Sequence, residues 1–124
     1  MTLIFGGAYN GKLEFVKEKY KLKDEEIFFC KDEELNLDNK AICGLHIFIK
    51  NCILKGIDSL EVLEKNIHLL EDKIIICDEI GSGIVPMEKL DRQYREECGR
   101  GLQFLTKKAT NVSRVFFGME EVLK

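Results

Sequence analysis

The sequence predicts an α/β fold with a mostly parallel sheet and helices on both faces. Three observations point there. Short apolar strands alternate with helical stretches along the chain, the pattern of a parallel sheet with crossover helices. Residues 73–77, KIIIC, run apolar without alternation, as in a strand buried on both faces. The first strand ends in Gly6-Gly7 and passes through a short glycine-bounded loop directly into a helix.

The elements follow in order. Residues 2–5, TLIF, form a β-branched and aromatic run that reads as a buried strand. From Gly11, GKLEFVKEKY has good helix formers with apolar residues at 13, 16 and 20. EIFFC, 26–30, is a second strand, and the acidic, aperiodic 31–39 is a loop. A helix is expected over about 40–54, with Ile42, Leu45, Ile49 and Cys52 on one face and Gly44 weakening it. Asp58 is an N-cap candidate, with Glu61 completing a capping-box-like pair and Leu60, Leu63, Ile67 and Leu70 following at helical spacing. After strand 73–77, Pro86 suits the first turn of a helix over about 86–109 that buries Met87, Leu90, Tyr94, Cys98, Gly101 and Leu105. SRVFFG, 113–118, is a last strong strand, and EEVLK is expected to return as a short edge strand. No repeat, low-complexity segment or linker interrupts the 124 residues, so residues 1–124 are expected to form a single nucleotide-binding domain.

Composition narrows the function classes. The net charge is −3 with acids and bases interspersed, which argues against a nucleic-acid surface. No apolar run approaches the ~20 residues of a membrane span, and the N-terminus lacks the basic-then-apolar pattern of a secretory signal. The five cysteines, at 30, 43, 52, 77 and 98, are odd in number and form no C-x-x-C pair. Free buried thiols in a reducing cytoplasm explain them best. Neither histidine pairs with a cysteine at zinc-ligand spacing.

Gly6-x-x-x-x-Gly11-Lys12 matches a phosphate-binding loop, with Gly7, Ala8, Tyr9 and Asn10 between its glycines. The glycines let backbone N–H groups converge on phosphate oxygens, the helix adds its positive end, and Lys12 would meet the β- and γ-phosphates. Leu13 stands where a Ser or Thr hydroxyl normally contacts Mg²⁺. Asp78-Glu79 ends the apolar strand 73–77, where an acid could hold Mg²⁺ and a following Glu could orient a nucleophile. Asp78 is therefore the candidate metal ligand. Gly81 and Gly83 in DEIGSGIVP allow a tight loop at that strand's carboxyl end, where open α/β sheets bind ligands. Arg92, Arg95 and Arg100 follow on the next helix and could meet phosphate through their planar forks.

On GGAYNGKL, DEIGSGIVP, the Arg95–Gln103 stretch REECGRGLQ and the terminal GMEEVLK, the chain resembles the adenosylcobinamide kinase/adenosylcobinamide-phosphate guanylyltransferase family of cobalamin biosynthesis. The resemblance covers residues 3–15 and 73–124. It implies a three-layer, RecA-like P-loop NTPase fold, often as a homo-oligomer, and two reactions. The first phosphorylates the aminopropanol hydroxyl of a corrinoid substrate. The second transfers GMP from GTP to that phosphate through a guanylated histidine. ATP or GTP with Mg²⁺ would be the nucleotide partners. Gly6, Gly7, Gly11 and Lys12 would bind phosphates, and Glu79, Gly81 and Gly83 belong to the second motif. Asp78 stands where the family usually has Asn. The family's histidine segment is shortened here and holds no His-Arg pair, which leaves His46, within GLHIFI, as the nearest candidate and His68 behind it. AICGLHIFIKNC occupies the place of the family's DCLT strand-end motif without an equivalent acid. Three readings follow: a reduced cobinamide-type kinase or nucleotidyltransferase, a nucleotide binder that has lost catalysis and serves as partner or sensor, and another small P-loop kinase or NTPase.

Overall fold

The computed structural model describes residues 1–8, 10–80 and 89–124. Six strands form one sheet: β1 (Thr2–Gly6), β2 (Ile27–Phe29), β3 (Ala41–Cys43), β4 (Ile74–Asp78), β5 (Asn111–Phe116) and β6 (Met119–Val122). The order is β2-β3-β4-β1-β5-β6, parallel throughout except for the antiparallel β5–β6 pair at one edge. The α-helices among the described residues are α1 (Lys12–Tyr20), α2 (Leu45–Leu54), α3 (Ser59–Lys65), α4 (Ile67–Leu70) and α5 (Lys89–Lys108).

Strand alternation sorts the core onto two faces. Leu3, Ile42, Ile75, Cys77 and Val112 face α2–α5 and pack with Phe48, Ile49, Leu63 and Leu105. Ile4, Ile76 and Val115 face the other way, onto Val16, Leu13 and Phe15 of α1. The result is a three-layer α/β arrangement with helices on both faces of a mostly parallel sheet. β1 and β4 lie side by side at its centre, with Gly6 opposite Asp78 in the register. Both strands therefore deliver their carboxyl ends to the same edge, where ligands of open α/β sheets bind.

The structure corrects several boundaries. The helix expected over 40–54 begins only at Leu45, because Ala41–Cys43 is a strand held between β2 and β4. Gly44 separates the two elements in a left-handed conformation (φ 86°), and its N–H donates to the Ile76 carbonyl. Ile42 thus belongs to the sheet, while Leu45, Ile49 and Cys52 occupy the buried helix face. The Asp58 side chain accepts the N–H groups of Leu60 and Glu61, as an N-cap should. Glu61 pairs with Lys65 at 2.8 Å. The helix breaks at Asn66, whose amide donates to the Val62 carbonyl and competes with continuation of the helix. Helix α5 is described from Lys89, so the expected helix start at Pro86 and the buried Met87 lie outside the described residues. Leu90 is exposed, whereas Cys98, Gly101 and Leu105 are buried. The strand expected over 113–118 spans Asn111–Phe116 and turns at Phe117-Gly118 into β6. All five cysteines are free thiols.

No helix among the described residues is long and apolar enough to cross a membrane.

Candidate functional site at the carboxyl ends of β1 and β4

The loop from Gly6 to Lys12 leaves β1 and enters α1. Gly6 is required by close approach, since a Cβ there would sit 2.4 Å from the Val115 carbonyl oxygen. Gly11 caps α1 in the left-handed region (φ 81°), which turns the chain sharply into the helix. Lys12 opens that helix, and its side chain is only 6% exposed. A lysine this buried needs partners for its charge. Its ammonium donates to the Gly7 carbonyl at 2.7 Å and forms an ion pair with Asp78 Oδ1, also at 2.7 Å.

Asp78 is the centre of a second contact. The Asp78 backbone N–H donates to Nδ1 of His46 at 3.0 Å, which fixes the imidazole proton on Nε2. That Nε2 lies 3.3 Å from Asp78 Oδ2. Burial is the main influence on His46 and lowers its pKa; Asp78 opposes this and Lys12 reinforces it. His46 is therefore a neutral, oriented ring with its free lone pair already committed to the backbone. His46 projects from the first turn of α2 because Gly44 ends β3 there.

A cleft of about 200 Å³ opens over these groups, lined by Gly11, Lys12, Leu13, Glu14, Cys43 and Gly44 together with His46, Ile76 and Asp78. Leu13 packs, partly buried, against the Ile4, Val16, Ile76 and Val115 cluster on the α1 face, as do Cys43 and Ile74. Burial, with help from Asp78, pushes the Cys43 thiol up to about 11. Among the described residues no group of three or more His, Cys, Asp or Glu side chains could hold a metal ion. Asp78 is ion-paired with Lys12 through Oδ1, and Leu13 offers no ligand. This donor set does not fit a protein-held Mg²⁺.

Glu79 points away from Lys12. Its N–H donates to the Gly6 carbonyl at 2.7 Å, and its carboxylate crosses the end of β1 to meet Arg114 of β5 at 3.0 Å. Sequence reasoning missed Arg114, although an arginine inside the apolar run SRVFFG was a visible signal. Glu14, Cys43 and Gly44 were missed as cleft residues because they converge from α1 and the end of β3, elements distant in sequence.

The expected residues are thus only partly gathered. Gly6, Gly7, Gly11, Lys12, Leu13, Asp78 and His46 converge. Ala8 and Asn10 lie in the loop, and the Asn10 carbonyl accepts the N–H of Gly118 at 2.9 Å. Tyr9, Gly81 and Gly83 lie outside the described residues. Arg100 is not brought to Lys12. It lines a separate cleft with Asp58, Ser59, Leu60 and Glu97, at the far end of α2 from Gly44. Arg95 is half-buried on α5, five residues before it.

No curated protein matches the chain. A model of the family described as cobinamide kinase / cobinamide phosphate guanyltransferase matches residues 44–123. That span includes His46, Asp78 and Glu79 and begins after the glycine loop. It covers well over half of the chain, and with the three-layer sheet it places the protein: the chain belongs to the cobinamide kinase / cobinamide phosphate guanyltransferase family.

Proposed function

We propose that the protein binds the phosphates of ATP or GTP at residues 6–12 and acts as a kinase on a cobinamide-type corrinoid alcohol. The observation that carries this reading is the meeting of Lys12 and Asp78 at 2.7 Å across adjacent strand ends, within a chain of this family. The loop backbone and the start of α1 supply donors for an anion, and Lys12 supplies the charge. Asp78 pairs with the ammonium that a phosphate would take. Nucleotide binding then exchanges one charge partner of Lys12 for another and leaves the Asp78 carboxylate 3.3 Å from His46 Nε2. There it can accept the proton of an incoming hydroxyl.

Kinase chemistry is better supported than guanylyl transfer. Transfer through a histidine needs a free ring nitrogen, and His46 has Nδ1 bound to the Asp78 N–H and Nε2 within 3.3 Å of Asp78 Oδ2. A second reading, a nucleotide binder without turnover, is favoured by Leu13 filling the place of the metal-binding hydroxyl. Calorimetric titration with ATP and GTP, with and without Mg²⁺, tests binding. Transfer of radiolabelled phosphate from ATP to adenosylcobinamide then separates the two readings. Binding with transfer is expected; binding without transfer selects the second reading, and no binding removes both.

A further inference from the structure

The β5–β6 turn touches the phosphate loop. Gly118 donates its N–H to the Asn10 carbonyl at 2.9 Å, and a Cβ on Gly11 would lie 3.6 Å from the Gly118 Cα. The two turn residues, Phe117 (φ 51°) and Gly118 (φ 74°), are both left-handed, as a two-residue turn between antiparallel strands demands. Asn or Gly suits the first of these positions, and a bulky aromatic there is a conformational outlier. Burial does not offset that cost, because Phe117 is 73% exposed. Its ring meets the neighbouring Phe116 edge-on, with centroids 4.5 Å apart, and Phe116 is itself 48% exposed. Strain held at an exposed side chain beside a binding loop points to a ligand contact.

The sheet order says which ligand part. β1 lies between β4 and β5. On the β4 flank of the loop stand Lys12, Asp78 and His46 in a small charged cleft. On the β5 flank stands the aromatic turn. A nucleotide whose phosphates fill the loop carries its base one sugar away, so the base must rest on one flank. We infer that the exposed Phe116–Phe117 pair is the stacking platform for the nucleobase of the bound nucleotide. The inference rests on the nucleotide reading above and adds the base subsite to it.

Stacking engages the face of a base and leaves its edge unread. The nearest fork of donors, Arg114, is held by Glu79 at 3.0 Å, with its guanidinium 5.9 Å from the Phe116 ring centre. The platform therefore holds adenine and guanine alike.

The test uses the full chain with ATP, GTP and inorganic tripolyphosphate, compared by calorimetry on the natural protein, Phe117→Asn and Phe117→Trp. Asn suits the left-handed turn position, so the hairpin is retained. The expected result is about tenfold weaker binding of both nucleotides by Phe117→Asn, since base–aromatic stacking is worth one to two powers of ten in affinity. Tripolyphosphate affinity should be unchanged, and Phe117→Trp should retain nucleotide affinity. Equal losses for nucleotides and tripolyphosphate would overturn the inference, because the turn would then only support the loop. So would no loss for either. A change of oligomeric state in Phe117→Asn by sedimentation, with nucleotide affinity intact, would also overturn it in favour of a self-association surface. Failure of the natural protein to bind any of the three would remove the nucleotide reading and the platform together.

Discussion

Lys12 Nζ and Asp78 Oδ1 lie 2.7 Å apart, so the loop lysine is paired with the acid of the adjacent strand. This makes the two residues antagonists in anion binding. Lys12→Ala should weaken ATP binding several-fold, less than an unpaired buried lysine would, because the natural lysine must first leave Asp78. Asp78→Asn removes the competitor and should strengthen tripolyphosphate binding several-fold in the absence of Mg²⁺. The same substitution should abolish any phosphate transfer that needs the carboxylate. Calorimetry on both variants checks the opposite signs. If Asp78→Asn weakens the anion, the competition argument fails.

His46 supplies a pH signature. Its ring is held neutral by burial, so the folded protein takes up this proton less readily than the unfolded chain, whose histidine titrates near 6.5. Below about pH 6.5 the unfolded state binds more protons and stability falls as pH drops; above it the residue contributes no pH dependence. Urea midpoints between pH 5 and 8 should therefore decline on the acid side. His46→Gln, whose amide oxygen can still accept the Asp78 N–H, should flatten that decline, whatever it does to the absolute stability.

Much of this arrangement was legible in the sequence. The unbroken apolar run 73–77 gave a central strand because such a run is affordable only when both faces are covered. Gly6, Gly11 and Lys12 could be placed because a strand, two glycines and a helix impose a local geometry that needs no distant partner. Residues 41–43 were misread for the opposite reason. Ile42 falls in helical register with Leu45 and Ile49, and only pairing with β2 and β4 makes it a strand, which local pattern cannot report. The same limit hid the role of His46. An apolar helical stretch around a histidine reads as core or surface until the β3 end sets α2 beside β4. Arg100 was placed near the ligand by motif alone, and α5 carries it instead to the cleft it shares with Asp58 and Ser59 at the start of α3.

Gly6 gives a stability test with an internal control. Alanine at Gly6 would bring its Cβ within 2.4 Å of the Val115 carbonyl, a backbone atom in the neighbouring strand. Chemical denaturation should show a loss of about 1–3 kcal/mol, the usual cost of overpacking. Gly56 has a left-handed φ of 71° and nothing within 4 Å of a Cβ, so Gly56→Ala should cost only about 1 kcal/mol from backbone strain. Equal losses at the two positions would contradict the close approach at Gly6.

Cys43 reports on the cleft chemically. With its thiol raised to about 11, it is protonated at neutral pH and a poor nucleophile. Alkylation by iodoacetamide, followed by mass spectrometry, should be slow at pH 7 and rise about tenfold per pH unit toward pH 10. Fast modification at pH 7 would mean a more polar, open cleft than the burial of Cys43 allows.

Leu13 is the position on which catalysis turns. Its side chain packs against the α1-face core of Ile4, Val16, Ile76 and Val115 and also lines the cleft, so the space of a metal-binding hydroxyl is filled with hydrocarbon. ATP should accordingly bind the natural protein with little dependence on Mg²⁺. Leu13→Ser removes part of a half-buried leucine and should cost about 1–2 kcal/mol of stability. It also returns a hydroxyl to the first turn of α1, next to Lys12, and should make ATP affinity depend clearly on Mg²⁺. If the protein is a weakened kinase, phosphate transfer to adenosylcobinamide should rise as well. Loss of one charge-stabilising group in such a site can cost about 10²–10³ in rate, so its return is measurable above background. If the protein only binds nucleotide, the variant gains the metal dependence without turnover. Strong Mg²⁺-dependent turnover by the natural Leu13 protein would show that water and substrate phosphates hold the metal unaided, and that the hydroxyl is dispensable here.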